Sequence, residues 1–337
     1  MPARQPSVLV LFSQVDMVTR GEDIDILAEQ ETAHVAQEVA RGLQELGYRV
    51  ATAPVTDDVC RALAPYAPEE WLVFNLCESP DGNPALEATV PPILEARGYL
   101  YTGSPGDTLA VCLNKGLAKE KLLAHGLPTP AFAVLSSPDQ PCAVPFPALV
   151  KPLAEDGSIG ITAESVVRDR PSLARRVAYV LERYQEPALV EEFIGGREFN
   201  QGIWGNDPPQ PLPPAEIDFR GFADPLQRLV TYEAKWVEGS YAYDHTPVTC
   251  PAEVDPALTE RLQQVAVRAF QVMGCRDYAR VDMRERDGQP YILEVNPNPT
   301  LASDAGFFRA ARVAGYSHAR MVEQIVLFAL ARRGTAT

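Results

Sequence analysis

The stretch YARVDMRERDGQPYILEVNPNP, residues 278–299, constrains this chain more than any other. Two runs rich in strand-forming residues flank Asp287-Gly288, a dipeptide that favours a tight hairpin. Both runs carry polar groups: Arg280 and Asp282 in the first, Glu294 and Asn296 in the second. Side chains alternate between faces along a strand, so each pair shares a face. The hairpin register decides whether the two pairs meet. A two-residue Asp-Gly turn pairs Arg286 with Gln289 and sends Asp282 and Glu294 to opposite faces. A three-residue loop, Arg286-Asp287-Gly288, pairs Glu285 with Gln289 and sets Arg280 opposite Glu294 and Asp282 opposite Ile292. That second register gathers all four groups on one face, and it is the expectation here. Diagonal neighbours then lie about 7 Å apart, within reach of a common ion. Hard oxygen ligands of this kind suit Mg²⁺, which takes one or two carboxylates plus phosphate oxygens. The plainer alternative is a salt-bridged sheet face, Arg280 with Glu294.

The rest of the chain supplies a frame for that hairpin. SVLVLFS (7–13) reads as a buried parallel strand, and residues 29–46 place Val35, Val39, Leu43 and Leu46 at helical spacing before Gly47. YRVATAPV and EEWLVFNLCES hold further strands, and LEATVPPILEARG a helix. This alternation predicts a doubly wound parallel sheet for residues 1–108. A helix over TLAVCLNKGLAKEKLLAHG opens a small central α+β unit, 109–202. The remainder, 203–337, forms a C-terminal α+β unit with a long irregular segment after residue 218, and a loop of that length is usually functional. DPPQPLPP reads as a rigid hairpin tip. The final helices span 256–273 and 317–332.

Composition narrows the function. A net charge of −15 argues against a nucleic-acid partner. No apolar run approaches the roughly 20 residues that span a bilayer. The six cysteines show no paired C-x-x-C spacing, as expected of reduced thiols in a cytoplasmic protein. A nucleotide needs only a few local cations, and three lysines stand where a triphosphate binder wants them. Lys115 opens the central unit, Lys151 ends a strand, and Lys235 lies in the long segment beside Trp236. Between strands, EDGSIGI offers Gly157 and Gly160, which let backbone N–H groups approach phosphate. It lacks the G-x-x-x-x-G-K-[ST] pattern, so the chain is not a P-loop protein. Glu191 and Glu198 flank a turn, where carboxylates can hold an amino group or ribose hydroxyls.

Taken in order, YTGS, LNKGLAKEKLLAHGLPTP, LVKPLAEDGSIGI, LVEEFIGGREF, YEAKW, GCRDYARVDM and YILEVNPNP resemble the ATP-grasp superfamily, and within it the D-alanine–D-alanine ligase family. The resemblance implies a three-domain ATP-grasp fold with ATP between the last two domains. It implies that Lys115, Lys151 and Lys235 bind phosphates, that Glu191, Glu198 and the backbone near Ile194 hold adenine and ribose, and that Gly157, Ser158 and Gly160 cover the phosphates. Asp282, Glu294 and Asn296 match the magnesium ligands, with two Mg²⁺ ions expected and Mn²⁺ as a substitute. Arg280 matches the arginine at the reacting acyl centre; Arg280, Lys235 and Ser158 are the expected catalytic set. The implied reaction is ATP-dependent amide formation through an acyl phosphate, on small amino-acid-like substrates. Members of the family are often dimers, so a homodimer is the expected assembly.

The amino-acid positions depart from the family pattern. The stretch NLCESPDGNPALEA offers Glu78 or Asp81 for a substrate ammonium. Trp236 replaces the lid tyrosine, Glu29 and Glu31 are candidates for the early glutamate, and Ala305 stands near the acceptor-binding serine. Asn298 and Ser303 are expected in the acceptor pocket. These departures predict a ligase with altered amino-acid specificity. The alternatives are a true D-alanine–D-alanine ligase and a non-catalytic ATP-binding sensor derived from one.

Overall fold

The computed structural model describes residues 6–15 and 21–333, apart from the side chains of residues 28–30. Strands β1 (Ser7–Ser13), β2 (Val50–Val55) and β3 (Trp71–Leu76) form a parallel sheet in the order β2-β1-β3. The central strand is apolar on both faces because both are covered: Val8 to Leu11 are fully buried. Helix α1 (Ile26–Glu45) sets Val35, Val39 and Leu43 against one face. Helices α2 (Val59–Leu63) and α3 (Val90–Ala96) cover the other. A 3₁₀ segment, Pro84–Thr89, precedes α3 and carries Glu87 toward the interior.

The helix expected over residues 108–126 is two helices, α4 (Gly106–Leu113) and α5 (Lys115–Ala124). Asn114 breaks them with extended backbone and caps α5 by accepting from the Leu117 N–H. The break puts Lys115 in the first turn of a separate helix. Strands β4 (Phe132–Leu135), β5 (Ala148–Pro152), β6 (Val166–Val167) and β7 (Ala188–Glu192) make an antiparallel sheet, β4-β7-β5-β6. Helix α6 (Arg170–Tyr184), started by an Asp169–Ser172 capping box, packs Leu173, Val177 and Val180 onto it.

The third sheet contains β8 (Arg197–Trp204), β9 (Gln210–Pro211), β10 (Ala215–Ile217), β11 (Val248–Thr249), β12 (Tyr278–Arg286) and β13 (Gln289–Asn296). Its order is β11-β10-β8-β12-β13, with β9 paired to β8. The expected border between residues 202 and 203 falls inside β8. The prolines of residues 207–214 form the tip and return of the β8–β9 hairpin. The long segment is folded around α7 (Tyr232–Trp236) and α8 (Tyr241–Asp244). Helix α9 (Pro256–Met273) buries Leu262, Ala266 and Phe270 on the sheet. Helices α10 (Gly306–Val313) and α11 (His318–Arg333) return to the first sheet, where Phe307, Val322 and Ile325 join the core of β1 and α1. Among the described residues no helix is long and apolar enough to cross a membrane.

The β12–β13 hairpin corrects the expected register. Its turn is the two-residue Asp287-Gly288, with φ of 54° and 77°, and Arg286 pairs with Gln289. Both positive φ values belong to the turn that matches strand twist. By itself this register would separate Asp282 from Glu294. Between Met283↔Ile292 and Asp282↔Glu294, however, β13 advances two residues while β12 advances one. Leu293 is the extra residue of a β-bulge, and it swings the remainder of β13 over. Asp282 therefore lies directly opposite Glu294, and Arg280 opposite Asn296, all on one face.

Candidate active site

A cavity of about 550 Å³ opens between the three sheets, and the β12–β13 face forms one of its ends. There Asp282 is the hub. Its Oδ1 accepts from Arg280 Nε at 2.7 Å and from Asn200 Nδ2 at 2.7 Å. Its Oδ2 accepts from Arg280 Nη2 at 2.8 Å and from Asn296 Nδ2 at 2.9 Å. Asn296 Nδ2 also reaches Glu294 Oε1 at 3.3 Å. The arginine thus pairs with Asp282 rather than with Glu294. Burial opposes ionisation of Glu294, but Lys115, Lys151 and Arg280 outweigh it and hold the carboxyl down at about 2. Lys235, by contrast, is pushed below the ordinary lysine value by burial and then by the Arg280 charge.

The donor set fits a hard divalent cation. Turning the Asn296 amide brings its Oδ1 to the point where Nδ2 now sits and releases one lone pair of Asp282 Oδ2, giving three oxygens that converge. Among the described residues no three His, Cys, Asp or Glu side chains cluster as a metal cage. Two carboxylates and an amide need phosphate oxygens to complete a magnesium shell.

Beside this end stand the glycine-rich loop of residues 157–160 and the lysines. Lys115 Nζ donates to the Glu155 carbonyl at 2.6 Å and Asp156 Oδ1 at 2.9 Å, and lies 3.8 Å from Glu294 Oε2. Gly157, Ser158 and Gly160 all have positive φ, with Ser158 at 63°. At Gly160 a Cβ would fall 2.5 Å from the Pro152 ring, so glycine is required there. Lys151 Nζ is 2.8 Å from Glu191 Oε1, and Lys119 Nζ is 2.8 Å from Glu191 Oε2. Burial opposes the Glu191 charge, yet the two ammonium groups prevail and keep the carboxyl below its usual range. The Glu191 carboxylate is thus held between two lysines.

At the far end Glu198 Oε2 accepts from Arg284 Nε at 2.8 Å. Arg284 also donates to the Ile194 carbonyl at 2.9 Å and to the Arg228 carbonyl, and its guanidinium lies 4.8 Å from the Phe193 ring centroid. Burial raises the Glu198 carboxyl even so, with Arg284 acting against it.

A profile of the family described as D-ala D-ala ligase C-terminus matches residues 123–327. A D-alanine–D-alanine ligase of Desulforudis audaxviator is 33% identical over 315 residues, covering 90% of this chain and 96% of its own. The chain belongs to the D-alanine–D-alanine ligase family. An uncharacterized protein of Sinorhizobium fredii, y4sG, is also 33% identical, over 303 residues, covering 87% of this chain and 86% of its own. A D-alanine–D-alanine ligase from Bacillus anthracis, solved in complex with ATP, superposes with a TM-score of 0.76 at 22% identity, covering 98% of this chain and 100% of that one. The fold of this ligase is therefore ATP-grasp.

The segment around α7 is anchored by tryptophan. Trp236 Nε1 donates to the Gly157 carbonyl at 2.8 Å, Lys235 Nζ lies 4.8 Å from the Trp236 ring centroid, and Tyr232 Oη donates to the Ile24 carbonyl at 2.6 Å. Glu31 lines the cavity, and burial raises its carboxyl above the usual range although Lys235 opposes this. The Glu29 side chain lies outside the described residues. Glu78 and Asn298 line the cavity, whereas Asp81 and Ser303 are not among its lining residues. Asp81 is held in a 3₁₀ turn with φ of 56°, and Ser303 is turned to Glu38, bonding it through N at 2.7 Å and Oγ at 2.6 Å.

Four neighbours of the ligase site were missed from sequence. Lys119 sits one helical turn after Lys115, Asn200 two residues after Glu198, and Arg284 two residues after Asp282, so periodicity could have found them. Glu87 had no such signal. Its Oε1 accepts from Asn298 Nδ2 at 2.6 Å, and burial, joined by Asp156, pushes its carboxyl up to about 8.

Proposed function

We propose that this chain is an ADP-forming ligase that joins the carboxylate of one amino-acid-like substrate to the amine of another, with recognition rewritten relative to D-alanine ligation. The observation that carries the reading is the meeting of Lys115, Arg280, Asp282, Glu294 and Asn296 at one end of a single cavity. Lys115, Lys151 and Lys235 neutralise the phosphates there, and the backbone of Gly157 to Gly160 covers them. The Ile194 backbone and Glu198 receive adenine and ribose; the lysine-bound Glu191 orders that wall. Bound magnesium supplies charge neutralisation for the transferring phosphoryl group.

A substrate carboxylate oxygen attacks the γ-phosphorus and ADP leaves, which yields an acyl phosphate. An amine then attacks the carbonyl carbon and phosphate departs. Arg280, fixed through two bonds to Asp282, steadies the oxyanion. The Trp236–Gly157 contact closes the lid against water, which would otherwise hydrolyse the intermediate.

Rewritten recognition is supported by the wall beyond Asn296. It presents Ala305 and Gly306 with Arg309, while Glu31 and Glu87 lie among the same lining residues. A zwitterion finds both a cation and acids there. The competing reading, ligation of two D-alanines, is favoured by the names of relatives at 30–33% identity. An ADP-release screen over D- and L-amino acids, singly and in pairs, with products weighed by mass spectrometry, separates them. The expected result is turnover on a pair other than D-alanine with itself. D-alanyl-D-alanine as the best product would sink the altered specificity, and tight ATP binding without ADP release on any acid would sink the ligase.

A further inference from the structure

Amide formation poses a proton problem that the groups described above leave open. An amino-acid acceptor arrives as an ammonium ion, which has no lone pair, and Arg280 and the three lysines are all donors. The cavity wall nevertheless holds an acceptor beside the reacting end. Glu87 is 7% exposed and lies among the lining residues. Asn298, on the loop that leaves β13, donates to its Oε1 at 2.6 Å. The charge of Asp156 is felt at Glu87, and Asp156 itself bonds Lys115 at 2.9 Å, so Glu87 belongs to the phosphate end of the cavity. Asn298 Oδ1 is buried and has no partner among the described residues. It faces Gly103, where a Cβ would come within 3.2 Å.

On the ligase reading above, we propose that Glu87, oriented by Asn298, binds the acceptor ammonium and takes the proton it must lose before attack. One N–H proton passes to the Glu87 carboxylate. The freed lone pair forms the C–N bond, and the C–O bond to the phosphate breaks with its electron pair leaving on phosphate. The second N–H proton leaves with that phosphate, so the products are a neutral amide, phosphate and a protonated Glu87. The titratable groups around Glu87 are Asp156 from the phosphate loop, Cys77 and Glu78 at the end of β3, Cys112 on α4 and Tyr278 on β12. Burial and the Asp156 charge raise its proton affinity to about 8, near enough to an amine's that the proton can rest on either partner.

The test uses two nucleophiles on the full chain, with the acid and amine that give the highest turnover in the amino-acid screen. Hydroxylamine is uncharged at neutral pH and traps the acyl phosphate as a hydroxamate without needing a base. In Glu87→Gln, amide synthesis is expected to fall about 10²–10⁴-fold in kcat, while hydroxamate formation stays within about threefold. The wild-type amide rate is expected to rise with pH through about 8, and Glu87→Gln is expected to lack that limb. Asn298→Ala keeps the carboxylate but frees it, so it is expected to lose amide synthesis partially and to retain the limb at a shifted pH. Equal losses for both nucleophiles, or amide synthesis at the wild-type rate in Glu87→Gln, would overturn the proposal. If the wild type yields neither ADP nor hydroxamate with any acid, the ligase reading itself fails and this role falls with it.

Discussion

Replacing Glu87 by glutamine should change how stability responds to pH, independently of any substrate. In the folded chain its carboxyl is raised from the ordinary 4.5 to about 8, chiefly by burial. Below pH 4.5 the folded and unfolded chains both carry the proton. Between 4.5 and about 8 only the folded chain keeps it, so this group's contribution is lost progressively as pH rises. At about 1.4 kcal/mol per pH unit over a window of roughly 3.5 units, the loss approaches about 5 kcal/mol above pH 8. Glutamine is uncharged throughout and can still accept from Asn298 Nδ2. The two proteins should therefore be close in stability near pH 4.5, and the variant should gain steadily until about pH 8, where its advantage reaches several kcal/mol. Urea unfolding of both at a series of pH values measures this, and titrating groups that do not feel the Glu87 charge cancel in the difference. A difference that stays constant across the window would show that Glu87 ionises like an exposed carboxylate and would refute the reasoning.

Three further outcomes follow from buried ion pairs and the lid. Lys119→Met leaves Glu191 with Lys151 alone in a site 1% exposed, and should lower unfolding free energy by about 3–5 kcal/mol. The wild-type contribution of Glu191 is present above its ordinary pKa and lost as pH falls through the lower folded one, so the gap between the two proteins should narrow in acid. Arg284→Met strips Glu198 of its buried cation and should cost a similar amount, about 3–5 kcal/mol; adding Glu198→Gln should recover most of it, as a thermal-unfolding double-mutant cycle would report. Trp236→Phe removes one hydrogen bond, worth about 1 kcal/mol, from the lid to the phosphate loop. Its expected signature is ADP release in excess of amide formed, and tight coupling in that variant would count against a lid role.

The sequence showed which polar groups belong together better than it showed how they are brought together. Period-two patterning put Arg280 with Asp282 and Glu294 with Asn296, and the four do share a face. The route differs, because the Asp287-Gly288 turn takes the two-residue form and Leu293 bulges to restore the alignment. A bulge leaves little trace in an apolar run such as Tyr-Ile-Leu-Glu, where every residue is acceptable to a strand. The break at Asn114 is legible in hindsight as a cap, but the apolar periodicity runs through it. Ser303 illustrates the opposite limit. Its place in a polar loop suggested a pocket, and a carboxylate from α1, Glu38, captured it instead. Such a partner, 265 residues away in sequence, leaves no local pattern.

The bulge also explains how a chain of net charge −15 can receive a polyanion. Bringing Glu294 over Asp282 concentrates negative charge, and four cations answer it: Lys115 with Asp156, Lys151 with Glu191, Arg280 with Asp282, and Arg284 with Glu198. Each is buried or half-buried and already partnered, so an arriving triphosphate finds these four engaged. It exchanges partners, and the exchange is favourable only where phosphate or a bound divalent ion satisfies the carboxylate left behind. Asp282 and Glu294 can be satisfied by a cation; Glu191 keeps Lys119 when Lys151 turns to phosphate. On the proposed reading, Lys119 lets Lys151 leave its carboxylate without stranding a buried charge, since Glu191 keeps one of its two lysines.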